Sequence, residues 1–182
     1  AAGGVGSSAI QIAKALGARV VAAASSAEKC AFCHELGADD TIDYSIHTPD
    51  TTLRDAIKST CGAGGPHVIY DPVGGAFAEP AFRSIAWRGR YLVVGFASGE
   101  IPKLPFNLAL LKGASLVGVF WGDFAKREAA ANEAMMAELL RWIQAGTIKP
   151  PVQQSFTMTD LPKAFDVMAR RAINGKLVLT NP

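Results

Sequence analysis

Ala1-Ala2-Gly3-Gly4-Val5-Gly6 constrains the fold more than any other stretch of the chain. It is predicted to be the turn between a strand and a helix that grips a pyrophosphate. Gly3 would let the backbone approach the phosphates, Gly6 would let the helix pack close to a sheet, and the helix N-terminus would supply N–H donors and a partial positive charge. Ala1 stands where the G-x-G-x-x-G pattern wants its first glycine, so the residues after the turn must carry part of the assignment.

From Val5 to Leu16 the apolar residues Val5, Ala9, Ile10, Ile12, Ala13 and Leu16 keep near-helical spacing, and Gly17 stands where a left-handed C-terminal cap belongs. Arg19 to Ala24 is an apolar run suited to a buried parallel strand. About 20 residues past the first glycine, an NADH site would carry an acid for the ribose. Here Ser25, Ser26 and Lys29 occupy that region, with no carboxylate before Glu28. Hydroxyls and a cation suit a 2′-phosphate, which favours NADPH over NADH. Ser25 and Ser26 also suit the cap of a helix beginning near Ala27, and the two roles are compatible.

At 182 residues, 49% hydrophobic and 19% charged, the chain has an ordinary globular composition. A formal charge of +2 from scattered cations gives no reason to expect a nucleic-acid partner. No apolar run reaches the roughly 18 residues of a membrane span. The chain begins without Met, directly on the turn, so it is read as a fragment whose missing first strand the complete protein supplies. Three cysteines, an odd number in a chain of this length, favour a reducing, cytoplasmic setting. Cys30-Ala31-Phe32-Cys33-His34 matches the attachment pattern for c-type haem. Cys30, Cys33 and Leu36 instead fit one face of an amphipathic helix packed on a sheet.

Further along, Thr41 to Tyr44, His67 to Asp71, Arg90 to Phe96 and Ser115 to Trp121 are predicted strands. Thr51 to Thr60, Ala76 to Ala86 and Pro105 to Lys112 are predicted helices. Strands alternating with helices imply an α/β fold with a doubly wound parallel sheet. Asp71 to Gly75 is either a turn near the nicotinamide ribose or a plain connection. Phe124 to Ala145 is predicted to be one long helix with an apolar stripe of Ala134, Met135, Leu139, Trp142 and Ile143. Pro150-Pro151 and Gln153-Gln154 mark a boundary, followed by a capped helix (Thr159, Asp160, Pro162, then Ala164 to Arg171) and a strand from Lys176 to Thr180. His34, His47 and His67 fall on a helix, a polar loop and a strand start, where structural roles are expected.

AAGGVG, QIAKALGARV, AAASSAEK, ELGADDTIDY, YDPVGG, RYLVVGFASG, LLKGASLVGVFWG and AFDVMARRAINGKLVL succeed one another in this order. Together they resemble the medium-chain dehydrogenase/reductase superfamily, and within it the zinc-independent quinone oxidoreductase branch related to zeta-crystallin. The resemblance covers the whole chain. It implies a Rossmann-type dinucleotide-binding domain over residues 1–151, incomplete at its start, and a tail, 152–182, that returns to a missing GroES-like catalytic domain. It implies NADPH bound by Ala2, Gly3, Gly4 and Val5, by Ser25, Ser26 and Lys29, and by Tyr44. Val73 falls on the turn after the strand ending at Asp71, and the nicotinamide would be lined by Gly95, Phe96 and Ala97 and by Val119, Phe120 and Trp121. The implied reaction is hydride transfer from NADPH to a quinone or an α,β-unsaturated carbonyl, by an enzyme without metal, with no catalytic acid or base identified in this half. It also implies a homodimer formed through the sixth strand, Ser115 to Trp121. A nucleotide-binding structural or sensor protein without turnover is the alternative.

Overall fold

A computed structural model describes residues 1–48, 51–170 and 173–181. In chain order the elements are α1 (Gly4–Ala15), β1 (Val21–Ala24), α2 (Ala27–Glu35), β2 (Asp40–Asp43), α3 (Thr51–Cys61), β3 (Val68–Asp71), α4 (Ala78–Ser84) and β4 (Arg90–Val93). Next come α5 (Asn107–Lys112), β5 (Ser115–Gly118), α6 (Trp121–Arg127), α7 (Ala129–Gln144), β6 (Val152–Thr157), α8 (Leu161–Ala169) and β7 (Lys176–Thr180). The chain divides into two compact units, Ala1–Asp43 with Glu138–Pro182, and Tyr44–Ala137.

Every strand pair is parallel, and helices connect the strands from β1 to β5, as the α/β expectation requires. The ladders form three sheets, β1-β2, β3-β4-β5 and β6-β7, rather than one. Among the described strands β1 pairs only with β2, and β3 only with β4. The continuous sheet was expected to run through a strand ahead of the glycine turn, and no described residue supplies that ladder.

In the first unit, Ala2, Ile10, Ala22, Ala24, Cys30, Cys33 and Ala38 form the core. Small side chains let α2 lie close to β1. Cys30 and Cys33 are buried there, on the inner face of α2 as expected, while the His34 ring bonds the Ala38 carbonyl and Thr41. Gly17 adopts φ +79 beyond the end of α1. The later part of the unit is tied to α1 by Gln11, whose amide donates to the Lys149 carbonyl at 3.0 Å and accepts from the Lys149 N–H at 2.6 Å.

In the second unit, Ala78, Phe82, Ile85, Tyr91 and Leu108 form a core flanked by Ile69, Ala81 and Val93. Gly65 is buried with φ +79, and a Cβ there would lie 1.9 Å from the Ser84 carbonyl oxygen. The loop before β3 therefore requires glycine.

Several sequence expectations need correction. The strand expected to reach Phe96 stops at Val93, because the N–H groups of Val94 and Gly95 both turn to the Asp71 carbonyl. The strand expected to reach Trp121 stops at Gly118, and Phe120 and Trp121 open α6 instead. Tyr44 likewise lies just past β2, in a 3₁₀ turn. The helix expected over 124–145 is two helices, broken at Glu128, whose φ of −123 and ψ of 51 are not helical. The stripe on α7 is not core: no α7 residue is buried, and Met135 and Met136 are exposed. β6 was not expected at all; its residues are exposed except Phe156, so alternation gave no signal. Asp160 precedes α8 without capping it, since its carboxylate is taken by Lys163 at 2.7 Å and Thr157 at 2.9 Å. The predicted end of that helix at Arg171 lies outside the described residues.

Candidate functional site

Each unit brings together its own group of the predicted site residues. In the first unit, Gly3 is extended (φ −75, ψ 175) and precedes α1 with no side-chain cap on the helix. The first turn thus has no side-chain cap from Gly3, and no acidic residue lies in it to repel an anion. A Cβ on Gly6 would come within 2.3 Å of the Ala1 carbonyl oxygen, so only glycine allows this close approach; a Cβ on Gly3 would meet open space. Ala2 is buried, while Gly3 and Val5 are exposed and Gly4 half-buried.

Ala2 and Ala24 share one core cluster, which brings the exit of β1 beside the glycine turn. Just past that exit, Ser26 caps α2 by accepting from the Lys29 N–H at 3.2 Å. The Lys29 ammonium donates to Ser25 Oγ at 3.4 Å. Both expected roles of the serines, cap and hydroxyl beside a cation, are therefore compatible in one arrangement.

One residue that the sequence reading missed joins this group. Lys176, the first residue of β7, donates from Nζ to the Gly4 carbonyl at 2.9 Å. Gly3 also bridges to Gly175 in parallel, and the Gly175 N–H donates to Ala2 O at 2.7 Å. The turn thus gains a cation from a strand 172 residues away along the chain. No local motif announces such a contact; only the closing of β7 onto the turn reveals it.

In the second unit, the loops after β3 and β4 are laced together. Ala97 N–H donates to Pro72 O at 3.1 Å, Ser98 N–H to Val73 O at 3.0 Å and Gly75 N–H to Glu100 O at 3.1 Å. Val73, Gly95, Phe96 and Ala97 are therefore held as one group, with Val73, Phe96 and Ala97 exposed. The Val119 N–H donates to Val93 O at 2.9 Å, setting the β5 exit beside the β4 exit. Phe120 and Trp121 are exposed, and the Trp121 indole donates to Asn132 at 3.1 Å. Tyr44 packs at a tilt on Phe77, ring centroids 5.1 Å apart. Among the described residues, no three His, Cys, Asp or Glu side chains gather in a way that could hold a metal ion, and no helix is long and apolar enough to cross a membrane.

Parallel α/β topology with a glycine turn opening α1 marks a Rossmann-type domain, and its likeness to known proteins makes it one of the medium-chain dehydrogenase/reductase superfamily. The chain belongs to the zinc-binding dehydrogenase family, whose pattern matches residues 4–144. It is 36% identical over 181 residues to quinone oxidoreductase-like protein 2 of Bos taurus, covering 99% of this chain and 51% of that protein. It is 32% identical to prostaglandin reductase-3 of Bos taurus, covering 100% of this chain and 50% of that protein. Among solved structures, Escherichia coli quinone oxidoreductase complexed with NADPH superposes with a TM-score of 0.84 at 28% identity, covering 98% of this chain and 54% of that one. The chain thus spans about half the length of the relatives it matches.

Proposed function

We propose that the protein is an oxidoreductase that uses NADPH to reduce a quinone or an α,β-unsaturated carbonyl compound. The observation that carries this reading is the exit of β1, where Ser25, Ser26 and Lys29 gather two hydroxyls and an ammonium with no carboxylate before Glu28. Such a donor set fits a 2′-phosphate dianion, whereas the acid of an NADH site would repel it. The uncapped start of α1, free of acidic residues, fits a pyrophosphate for the same electrostatic reason.

In this reading Ala2, Gly3, Gly4 and Val5 present backbone to the pyrophosphate and Lys176 adds positive charge beside it. Ser25, Ser26 and Lys29 hold the 2′-phosphate, and Tyr44 lies against the cofactor. Val73, Gly95, Phe96 and Ala97, with Val119, Phe120 and Trp121, orient the nicotinamide and keep water from it. Bound NADPH would supply a hydride that, with one proton, converts a quinone to a quinol or an enone to its saturated carbonyl. The reading includes a GroES-like catalytic domain as the partner of residues 152–182, and catalysis without zinc in the cytoplasm. It also includes a homodimer formed through β5, an edge strand among the described residues, with Leu116, Phe120 and Trp121 exposed on or beside it.

The test is NADPH consumption by the full-length protein offered a quinone and, separately, an enone, monitored by the loss of nicotinamide absorbance. Turnover with either acceptor supports the reading. Tight NADPH binding with no turnover across both classes would favour a sensor or structural role instead.

A further inference from the structure

A side-chain pair in the second unit, buried Tyr91 and half-buried Asp71, has no part in cofactor contact or hydride transfer as proposed. The Tyr91 hydroxyl donates to Asp71 Oδ2 across the β3-β4 ladder. The ladder pairs Tyr91 with Ile69 and Asp71 with Val93, so the phenol reaches two residues forward along the neighbouring strand. Tyr91 is 2% exposed, and its ring meets Phe82 edge-on with centroids 5.7 Å apart. Burial, then the hydrogen bond to Asp71 and its charge, hold the phenol far above its ordinary range, so it remains a donor.

The second carboxylate oxygen faces the turn. Asp71 Oδ1 accepts from the Val73 N–H at 2.8 Å and the Gly74 N–H at 3.0 Å. Gly74 adopts φ 68 and ψ −146, a conformation open to glycine almost alone. A Cβ on Gly74 would lie 2.9 Å from the Phe96 ring, and one on Gly75 would lie 2.9 Å from Ser98 Oγ. The turn and the Phe96–Ser98 loop are thus in close contact, and the Ala97 and Ser98 amides bond them together. Asp71 Oδ1, at the end of β3, thus holds the Val73–Gly74 turn to which the Phe96–Ser98 loop is bonded.

We propose that Tyr91 is a positioning residue for the nicotinamide–ribose half of the cofactor, acting through Asp71 on the Val73–Gly74 turn and through that turn on Phe96 and Ala97. The proposal rests on the NADPH reading. Tyr91 touches no cofactor in it; the phenol holds a carboxylate that holds the surface on which the ring would rest.

The experiment compares NADPH with adenosine 2′,5′-bisphosphate, which keeps the adenosine end and lacks the nicotinamide, as ligands of the full-length protein and its Tyr91→Phe variant. Expected is a loss of about tenfold in NADPH affinity, the scale of one hydrogen bond to a charged group, with the bisphosphate affinity unchanged. Equal losses for both ligands, or none for either, would overturn the positioning role. Asp71→Asn supplies a second variant should the first fail to fold. It keeps an acceptor for the two amides but turns the phenol from donor to acceptor, replacing a charge-assisted hydrogen bond by a neutral one, and a selective loss of NADPH affinity, smaller than in Tyr91→Phe, is expected. Where both variants fold, combining them should add little, because they break one device. If the wild-type protein binds neither ligand, the NADPH reading itself falls, an outcome distinct from the failure of either variant.

Discussion

Lys176 Nζ lies 2.9 Å from the carbonyl oxygen of Gly4, so the first residue of the last strand sits on the first turn of the first helix. In the proposed reading the ammonium lies beside the cofactor pyrophosphate. Lys176→Ala should weaken NADPH and NADH by the same factor, roughly tenfold for one charge-assisted contact, since both carry the pyrophosphate. Calorimetric titration of both cofactors checks this, and a loss confined to NADPH would contradict it.

Lys29 should behave differently. Its ammonium stands by Ser25, its backbone N–H is capped by Ser26, and in the proposed reading this is where NADPH alone carries a phosphate. Lys29→Ala should cost about 1.5 to 3 kcal/mol, or roughly 10- to 150-fold, in NADPH affinity, with NADH affinity unchanged. The two lysines together separate the 2′-phosphate from the pyrophosphate in the same titration.

Two glycines with the same φ of +79 should respond unequally to alanine. At Gly17 the new Cβ meets nothing within 4 Å, so only the left-handed backbone counts, at about 1 kcal/mol. At Gly65 it would fall 1.9 Å from the Ser84 carbonyl oxygen, and the backbone must move, costing above about 3 kcal/mol. Denaturant melts of Gly17→Ala and Gly65→Ala measure the difference directly.

Tyr91 predicts an alkaline limb of stability. Its native value is raised, so the unfolded chain loses the phenolic proton first as pH climbs. This part of the stability is whole below about pH 10, the ordinary tyrosine value, and is lost as pH rises beyond it. In Tyr91→Phe the fall above that pH should be shallower than in wild type, as urea midpoints across the range would register.

How far the sequence spoke depended on the range of each interaction. The glycine turn, the left-handed Gly17 and β7 from Lys176 to Thr180 were legible because short-range rules govern them. β6 was hidden because Gln153 and Gln154 are polar and exposed, with no buried face to impose alternation. The break at Glu128 was hidden because its neighbours all favour helix. At the site, the grouping of Ser25, Ser26 and Lys29 was legible from their spacing, because residues 25–29 lie within one cap and first helical turn. Lys176 on Gly4 and Tyr91 on Asp71 were not, because strand pairing and the return of the chain create those contacts.

NADPH specificity is decided by parallel titration of the full-length protein with NADPH and NADH. Tight NADPH and weak NADH are expected, with the preference abolished by Lys29→Ala. Equal affinity for the two, or binding of neither, would contradict it.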